Sequence, residues 1–161
     1  MKKSVVFAQL SGQGIKDSQL AHLIASYADQ NLCREHKGKV YALISIMLFQ
    51  AFIAFLVGLG ADSDIGSNSK WLFGTLNAII PLLFAFGFYK HYAGAYNAYL
   101  VFYILQLPKT LKGVVTNSVA TYVFLAIYIA VLIYVWYVRK KLFPDFSFIT
   151  AKKIKGQYVF S

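Results

Sequence analysis

Charged residues are almost absent from the middle of this sequence, and that segregation constrains the fold more than any other feature. Between Val40 and Val138 there are only two aspartates, four lysines and one histidine, with no arginine or glutamate. Charged residues make up 14% of the whole chain, whereas soluble domains have about a quarter. Four long uncharged runs separated by short polar breaks do not suit a soluble core. They predict a polytopic membrane protein.

The fold predicted from these runs is an all-α membrane protein. It is a four-span transmembrane helix bundle with a short amphipathic N-terminal helix and small cytoplasmic β-like terminal segments. The first run has 20 residues, and 20 residues give about 30 Å of helix, which matches the hydrocarbon core of a bilayer. The second run carries Pro81, which removes a backbone hydrogen bond and usually bends a helix. The predicted spans are residues 40–59, 71–89, 92–107 and 119–138.

Lysine and arginine are distributed unequally between the two sides that these spans define. The side of both termini holds 13 of the 16, and the other side holds only Lys70, Lys109 and Lys112. Because positively charged loops stay in the cytoplasm, both termini are predicted to be cytoplasmic, in a plasma or inner membrane. The predicted division is a cytoplasmic segment 1–39, a membrane domain 40–138 and a basic cytoplasmic tail 139–161.

The residues before the first span are predicted to form a short strand and then an amphipathic helix. Residues 1–11 carry β-branched and aromatic side chains and lead into a turn-like Ser-Gly-Gln-Gly sequence. The helix is expected over residues 16–36, capped by Asp17 or Ser18. Gly38 would lie just past its end. This polar segment is too long for the start of a cleaved signal peptide, so the first span is expected to direct insertion.

The tail is predicted to contain two extended segments, at residues 148–150 and 158–160. Around the second of these, Ile154, Tyr158 and Phe160 alternate with Lys153, Lys155 and Gln157, which is typical of a strand. The N-terminal strand is expected on the same side of the membrane. The two ends of the chain are therefore expected to pair.

Polar aromatic residues form a seam on the third predicted span. On a helix they share one face, because they follow each other at steps of four and three residues. The seam consists of Tyr92, Tyr96, Tyr99, Tyr103 and Gln106. A phenol near the bilayer midpoint needs a hydrogen-bond partner, because an unpaired hydroxyl in hydrocarbon is costly.

Two interpretations of this tyrosine seam are open. In the first, the hydroxyls bond to polar residues of neighbouring spans, and the seam serves packing. The candidate partners are Gln50, Asn77, Ser45 and Thr75. In the second, the seam lines a polar cavity for a ligand or a partner helix.

Gly94 and Ala98 lie four residues apart on a different face of the same span. Small residues at this spacing let another helix backbone approach closely. The pair is therefore predicted to be a helix-contact site.

The residue types present argue against most catalytic and transport chemistry. The spans contain no carboxylate or cation of the kind that proton-coupled carriers and pumps need. One cysteine, Cys33, allows no internal disulfide, and the three histidines are far apart in sequence. The loop 62–68 lacks the glycine spacing and the late glutamate of an EF-hand. The sequence therefore predicts no metal, no cofactor and no enzymatic activity.

The net charge of +10 is explained by the membrane better than by nucleic acid. Arg139, Lys140 and Lys141 directly follow the last span, where they are predicted to bind anionic lipid headgroups. Nucleic-acid binding is unlikely on this sequence, because no compact basic fold supports it.

The leading functional hypothesis is an accessory or immunity-type subunit that docks against another membrane protein or self-associates. The alternative is a small transporter or flippase with a tyrosine-lined intramembrane cavity. A holin-like pore former ranks third, because the long tail and the helix-contact residues fit it poorly.

Overall fold

The computed structural model describes residues 3–60, 67–113, 119–148 and 150–160, and 78% of it is helical. The helices are α1 (Lys3–Leu10), α2 (Asp17–Ser26), α3 (Gln30–Glu35), α4 (Lys37–Leu59), α5 (Ser67–Tyr89), α6 (Ala93–Gly113) and α7 (Val119–Leu142). Two short strands follow, β1 (Lys153–Ile154) and β2 (Gln157–Tyr158). They pair with each other in an antiparallel hairpin.

The chain forms two compact units, which do not coincide with the predicted division along the sequence. Residues 37–91, containing α4 and α5, form the helix-pair unit. Residues 1–36 and 92–161, containing the other helices and the tail, form the terminal unit. The predicted boundaries at residues 39 and 138 instead follow the expected membrane crossings.

The helix-pair unit is held by an unusually close approach of two helix backbones. A Cβ atom built on Gly58 of α4 would lie 2.5 Å from the Cα atom of Gly74 in α5. Ala51 of α4 and Ala78 of α5 are small residues that are also buried. Two spans can pack this tightly only where both lack a side chain at the crossing point.

The terminal unit is built around contact between α6 and α7. The N-terminal helix α1 packs on α2, and α3 contacts α7. The tail after α7 folds back onto these elements, with Phe143 and Phe146 buried. Both ends of the described chain therefore belong to one body.

Within the described residues, three helices are long and apolar enough to cross a membrane. They are Lys37–Leu59, Lys70–Tyr89 and Thr121–Leu142. Helix α6 is not among them, because tyrosine, asparagine, glutamine and lysine lower its hydropathy. The three correspond to the first, second and fourth predicted spans.

The predicted N-terminal strand is wrong, because residues 3–10 form the helix α1. An isolated strand would leave its backbone groups without partners, and β1 and β2 already pair with each other. The predicted association of the two ends occurs through side chains instead. The Phe7 ring lies 5.6 Å from the Tyr158 ring and 5.3 Å from the Phe160 ring.

The single helix predicted over residues 16–36 is two helices. Tyr27 has extended backbone angles and ends α2. Asp29 then starts α3, where its carboxylate accepts a hydrogen bond of 2.7 Å from the backbone N–H of Asn31. Lys16, not Asp17 or Ser18, is the N-cap residue of α2 and makes no side-chain cap bond. Gly38 does not terminate a helix, because α4 already begins at Lys37.

The four long helices are all longer than the spans predicted for them. α4 starts three residues early, and α7 continues through the basic residues to Leu142. α6 passes through Pro108 to Gly113, beyond the predicted end of the third span at residue 107. Residues 61–66 and 114–118 lie outside the described residues.

The tail is more ordered than two separate extended segments. Phe146 forms a bridge with Ala151, and Val159 donates a backbone hydrogen bond of 3.1 Å to Lys152 O. The β1–β2 turn places Lys155 and Gly156 at φ of 50° and 82°. Positive φ at both central residues is the pattern of a type I′ hairpin. Ile149, in the first predicted extended segment, lies outside the described residues.

We predict that Gly58→Ala lowers the stability of the detergent-solubilised protein by about 1–3 kcal/mol, because the new methyl group must push the α5 backbone away. Thermal unfolding followed by circular dichroism measures this. Gly38→Ala in the same helix is the control, because a Cβ atom there meets nothing within 4 Å. Equal unfolding temperatures for the two variants would contradict the close contact.

Candidate functional site

Arg139 makes several contacts inside the terminal unit. It lies one turn from the end of α7 and is only 5% exposed. Its Nε–H donates to Asn97 Oδ1, and its Nη2 donates to Ser147 O and, at 3.5 Å, to Phe146 O. Its guanidinium also lies 5.8 Å from the Phe146 ring and 5.4 Å from the Phe148 ring. It therefore bridges α7, α6 and the tail.

Asn97 completes this connection from the first turns of α6. Its Oδ1 accepts from Arg139, and its Nδ2 donates a hydrogen bond of 2.6 Å to Phe148 O. Both ends of the amide are therefore occupied. We call Arg139, Asn97 and the segment 146–148 the tail latch.

The latch compensates for the burial of a charge. Taking a guanidinium out of water costs several kcal/mol. Each hydrogen bond from a charged donor contributes about 1.5–3 kcal/mol, and a desolvated cation over an aromatic ring adds about 2 kcal/mol. The planar, multidentate fork of arginine suits three acceptors in a way that a lysine ammonium does not.

The structure gives Arg139 contacts inside the protein. Its described hydrogen bonds, from Nε and Nη2, go to Asn97 and to the tail. Headgroup binding by Arg139 stays a prediction. Lys140 and Lys141 are exposed. Their ammonium groups lie 5.5 Å and 6.0 Å from the Trp136 and Tyr137 rings one turn earlier. Headgroup binding stays a prediction for these two lysines.

A second connection ties the N-terminus to the tail. Lys3 Nζ lies 3.4 Å from Asp145 Oδ2, and the two side chains are 12% and 6% exposed. A buried carboxylate needs such a partner, because an isolated buried charge is very costly. With the Phe7 ring contacts, this ion pair fixes α1 against the tail.

Next to the latch lies an open groove of about 500 Å³. α2, the start of α6 and the tail form its three sides. It is lined by His22, Ser26, Tyr92, Ala93, Gly94, Asn97, Ala98, Val101, Phe146 and Phe148. Phe146 of the tail contacts α2 across this groove, because its ring and the His22 ring lie 5.2 Å apart in an edge-on arrangement. The lining is mostly apolar, and the Asn97 amide is already bonded.

The predicted helix-contact pair lies on this groove. Gly94 and Ala98 are both exposed, and a Cβ atom built on Gly94 would meet nothing within 4 Å. Val101 and Leu105 continue the same face of α6 and are 42% and 72% exposed. Within the described part of the terminal unit, the pair faces open space rather than another helix of that unit. The close helix contact inside the chain is at Gly58 and Gly74 instead.

The tyrosine seam lies on the inner face of α6. Tyr96 and Tyr99 are 0% and 1% exposed, whereas Tyr92, just before the helix, is 59% exposed. The Tyr99 and Tyr103 rings stack at 4.2 Å. The Tyr128 hydroxyl of α7 donates to Tyr103 O. Tyr103 therefore contacts α7, and Tyr99 is buried beside it on α6.

The remaining seam contacts lie in the terminal unit, and the candidate partners lie in the helix-pair unit. The Tyr96 ring meets the edge of Phe143 at 5.7 Å, while Gln106 is half-buried further along α6. In the helix-pair unit, Asn77 is exposed and Gln50 is half-buried. Thr75 donates to Trp71 O of its own helix at 2.8 Å.

Cys33, on α3, is half-buried. Burial and the nearby Asp29 carboxylate raise the pKa of its thiol, so little thiolate forms at neutral pH. Among the described residues, no three His, Cys, Asp or Glu side chains are close enough to hold a metal ion.

Comparison with known proteins adds no relative. No family model, curated protein or solved structure matches this chain.

We predict that Arg139→Gln frees the tail, because the shorter neutral side chain leaves the oxygen atoms of Phe146 and Ser147 without their donor. The expected loss of stability is about 2–4 kcal/mol. Trypsin should cleave after Lys152 and Lys153 at least tenfold faster, as measured by mass spectrometry of timed digests. Arg139→Lys should not restore the wild-type rate.

Lys140→Gln is the matched control, since it removes the neighbouring exposed charge and leaves the latch intact. Identical digestion of Arg139→Gln and Lys140→Gln would show that the latch does not hold the tail.

Proposed function

We propose that this chain is a four-span integral protein of a plasma or inner membrane, with both termini in the cytoplasm. In this proposal it acts non-catalytically, as an accessory or immunity-type subunit that docks on a helix of another membrane protein. The observation that carries the docking proposal is the open, apolar face of α6 beside the tail latch.

Contact between the two ends supports an even number of crossings. Lys3 pairs with Asp145, and Phe7 packs on Tyr158 and Phe160. Residues in such contact must lie on the same side of a membrane. Since α4, α5 and α7 supply three crossings, α6 is the helix that supplies the fourth. The excess of lysine and arginine on the side of the termini favours the cytoplasm for that side.

The two faces of α6 support docking. The inner face is used by tyrosines packed on α7, whereas the outer face presents Gly94, Ala98, Val101 and Leu105. These four recur at steps of four, three and four residues and so form one stripe. Small residues at one end let a partner backbone approach, and apolar residues at the other provide contact area. A groove wall of Phe146 and Phe148 continues the surface beyond the helix end.

The transporter alternative has less support. It needs the hydroxyls of Tyr96 and Tyr99 to face a cavity, whereas both side chains are buried in packing. The groove itself is mostly apolar, and its one amide is bonded within the protein. A polar solute would gain few hydrogen bonds there.

We predict that Gly94→Leu removes the partner without destabilising the protein, because the new side chain fills open space on the docking face. The protein is purified from its native membrane in mild detergent, and mass spectrometry quantifies a stoichiometric companion. The yield of that companion should fall at least tenfold, while the unfolding temperature stays within a few degrees of wild type.

Ala130→Leu provides a matched control, because it makes the same kind of change at an exposed small residue of α7. A companion retained by Gly94→Leu, or lost equally with Ala130→Leu, would contradict docking on this face. A wild-type protein that carries only lipid or solute would favour the transporter. A homodimer that Gly94→Leu splits would identify the partner as a second copy.

A further inference from the structure

The hairpin at the end of the tail is strongly and uniformly basic. We call residues 152–159, with β1, β2 and their turn, the tail hairpin. Lys152, Lys153 and Lys155 are all exposed. From Phe146 to Ser161 the sequence contains no aspartate or glutamate. The last acidic residue before it, Asp145, is buried and paired with Lys3. None of the described ion pairs joins these three lysines to a side-chain carboxylate.

Apolar side chains stand among these lysines. Ile154 lies between Lys153 and Lys155 and is 51% exposed, and Val159 is 37% exposed. The Lys153 ammonium lies 4.5 Å from the Tyr158 ring. Lysines around an exposed aliphatic residue fit a surface that is both anionic and partly apolar, as the headgroup region of a membrane is.

The tail hairpin is held in position by its turn and by a backbone hydrogen bond at its base. Its turn residues Lys155 and Gly156 adopt the positive φ angles of a type I′ turn. Its base is fixed because Lys152 N–H donates to Asp145 O at 2.8 Å. The preceding segment 146–148 is held by the tail latch against α6 and α7.

These contacts keep the three lysines close to the end of α7. Ala151 is bridged to Phe146, whose carbonyl bonds Arg139. From Ala151 to Ile154 the chain can advance only about 10 Å, which is comparable to the Debye length of about 8 Å at physiological ionic strength. The lysines therefore stay within range of the field of anionic lipids.

We infer that the tail hairpin is a docking surface for anionic lipid headgroups, with Ile154 inserted among them. An anionic membrane is complementary both to the three lysines and to the aliphatic residue between them. This inference depends on α7 crossing a membrane, and not on the docking of a partner helix proposed above.

The test places an environment-sensitive dye at the tip of the tail hairpin. In a Cys33→Ser background, Ile154→Cys is labelled with a nitrobenzoxadiazole dye. The full-length protein is placed in nanodiscs of phosphatidylcholine, with or without phosphatidylglycerol. Nitroxide-labelled lipids should quench the dye in the anionic discs far more than in the neutral ones. A dye at Ser11→Cys, exposed after α1, should show no such difference.

Replacing all three lysines by glutamine should weaken this lipid contact by about 5-fold per lysine, or on the order of 100-fold together. Replacing them by arginine keeps the charge and should preserve the contact, which separates loss of charge from loss of folding. Added salt should reduce the quenching.

Equal quenching in neutral and anionic discs would overturn the inference, and so would arginine and glutamine variants that behave alike. A dye that stays exposed in both lipids but becomes protected by an added polyglutamate peptide would assign the surface to an acidic protein instead.

Discussion

The guanidinium of Arg139 ties the end of α7 to the start of α6 and to the tail that follows α7. It bonds Asn97 at the start of α6 and the carbonyl groups of the tail after α7. The groove depends on it, because Phe146 and Phe148 form the tail side of that groove. The position of the basic tail hairpin depends on it as well. A buried cation whose described hydrogen bonds go to neutral oxygen atoms is favourable only while all three are made, so the arrangement is cooperative.

Glycine residues have different roles in the two units. In the helix-pair unit, Gly58 and Gly74 lie in the close contact between α4 and α5. In the terminal unit, α6 and α7 meet through aromatic side chains, with Tyr103 central to the contact. Gly94 lies on the outer face of α6, where a Cβ atom would meet nothing within 4 Å. Glycine therefore has a packing role in the helix-pair unit, whereas Gly94 supports the docking proposal.

Segregated charge predicted the apolar helices well, because hydropathy over about 20 residues reports directly on the solvent around a helix. The latch could not be predicted, since a basic residue after a span fits a headgroup role equally well and Asn97 lies 42 residues away.

A signal for the α4–α5 contact was present, because Ala54–Gly58 and Gly74–Ala78 have the same four-residue spacing as Gly94–Ala98. Spacing does not identify which pair a neighbour covers. The strand predicted over residues 1–11 is wrong because β-branched residues favour a strand only where neighbouring strands are present for them to pack against.

The proposed four-span topology requires that α6 cross the membrane, so that both ends of the chain lie on one side. Membrane-impermeant maleimide labelling of a Cys33→Ser protein tests this most directly, with one new cysteine at Thr116, between α6 and α7, and a second variant with Ser11→Cys, after α1. In intact cells, Thr116→Cys should react from outside, whereas Ser11→Cys should react only after permeabilisation. If both positions require permeabilisation, α6 does not cross, and the four-span account is wrong.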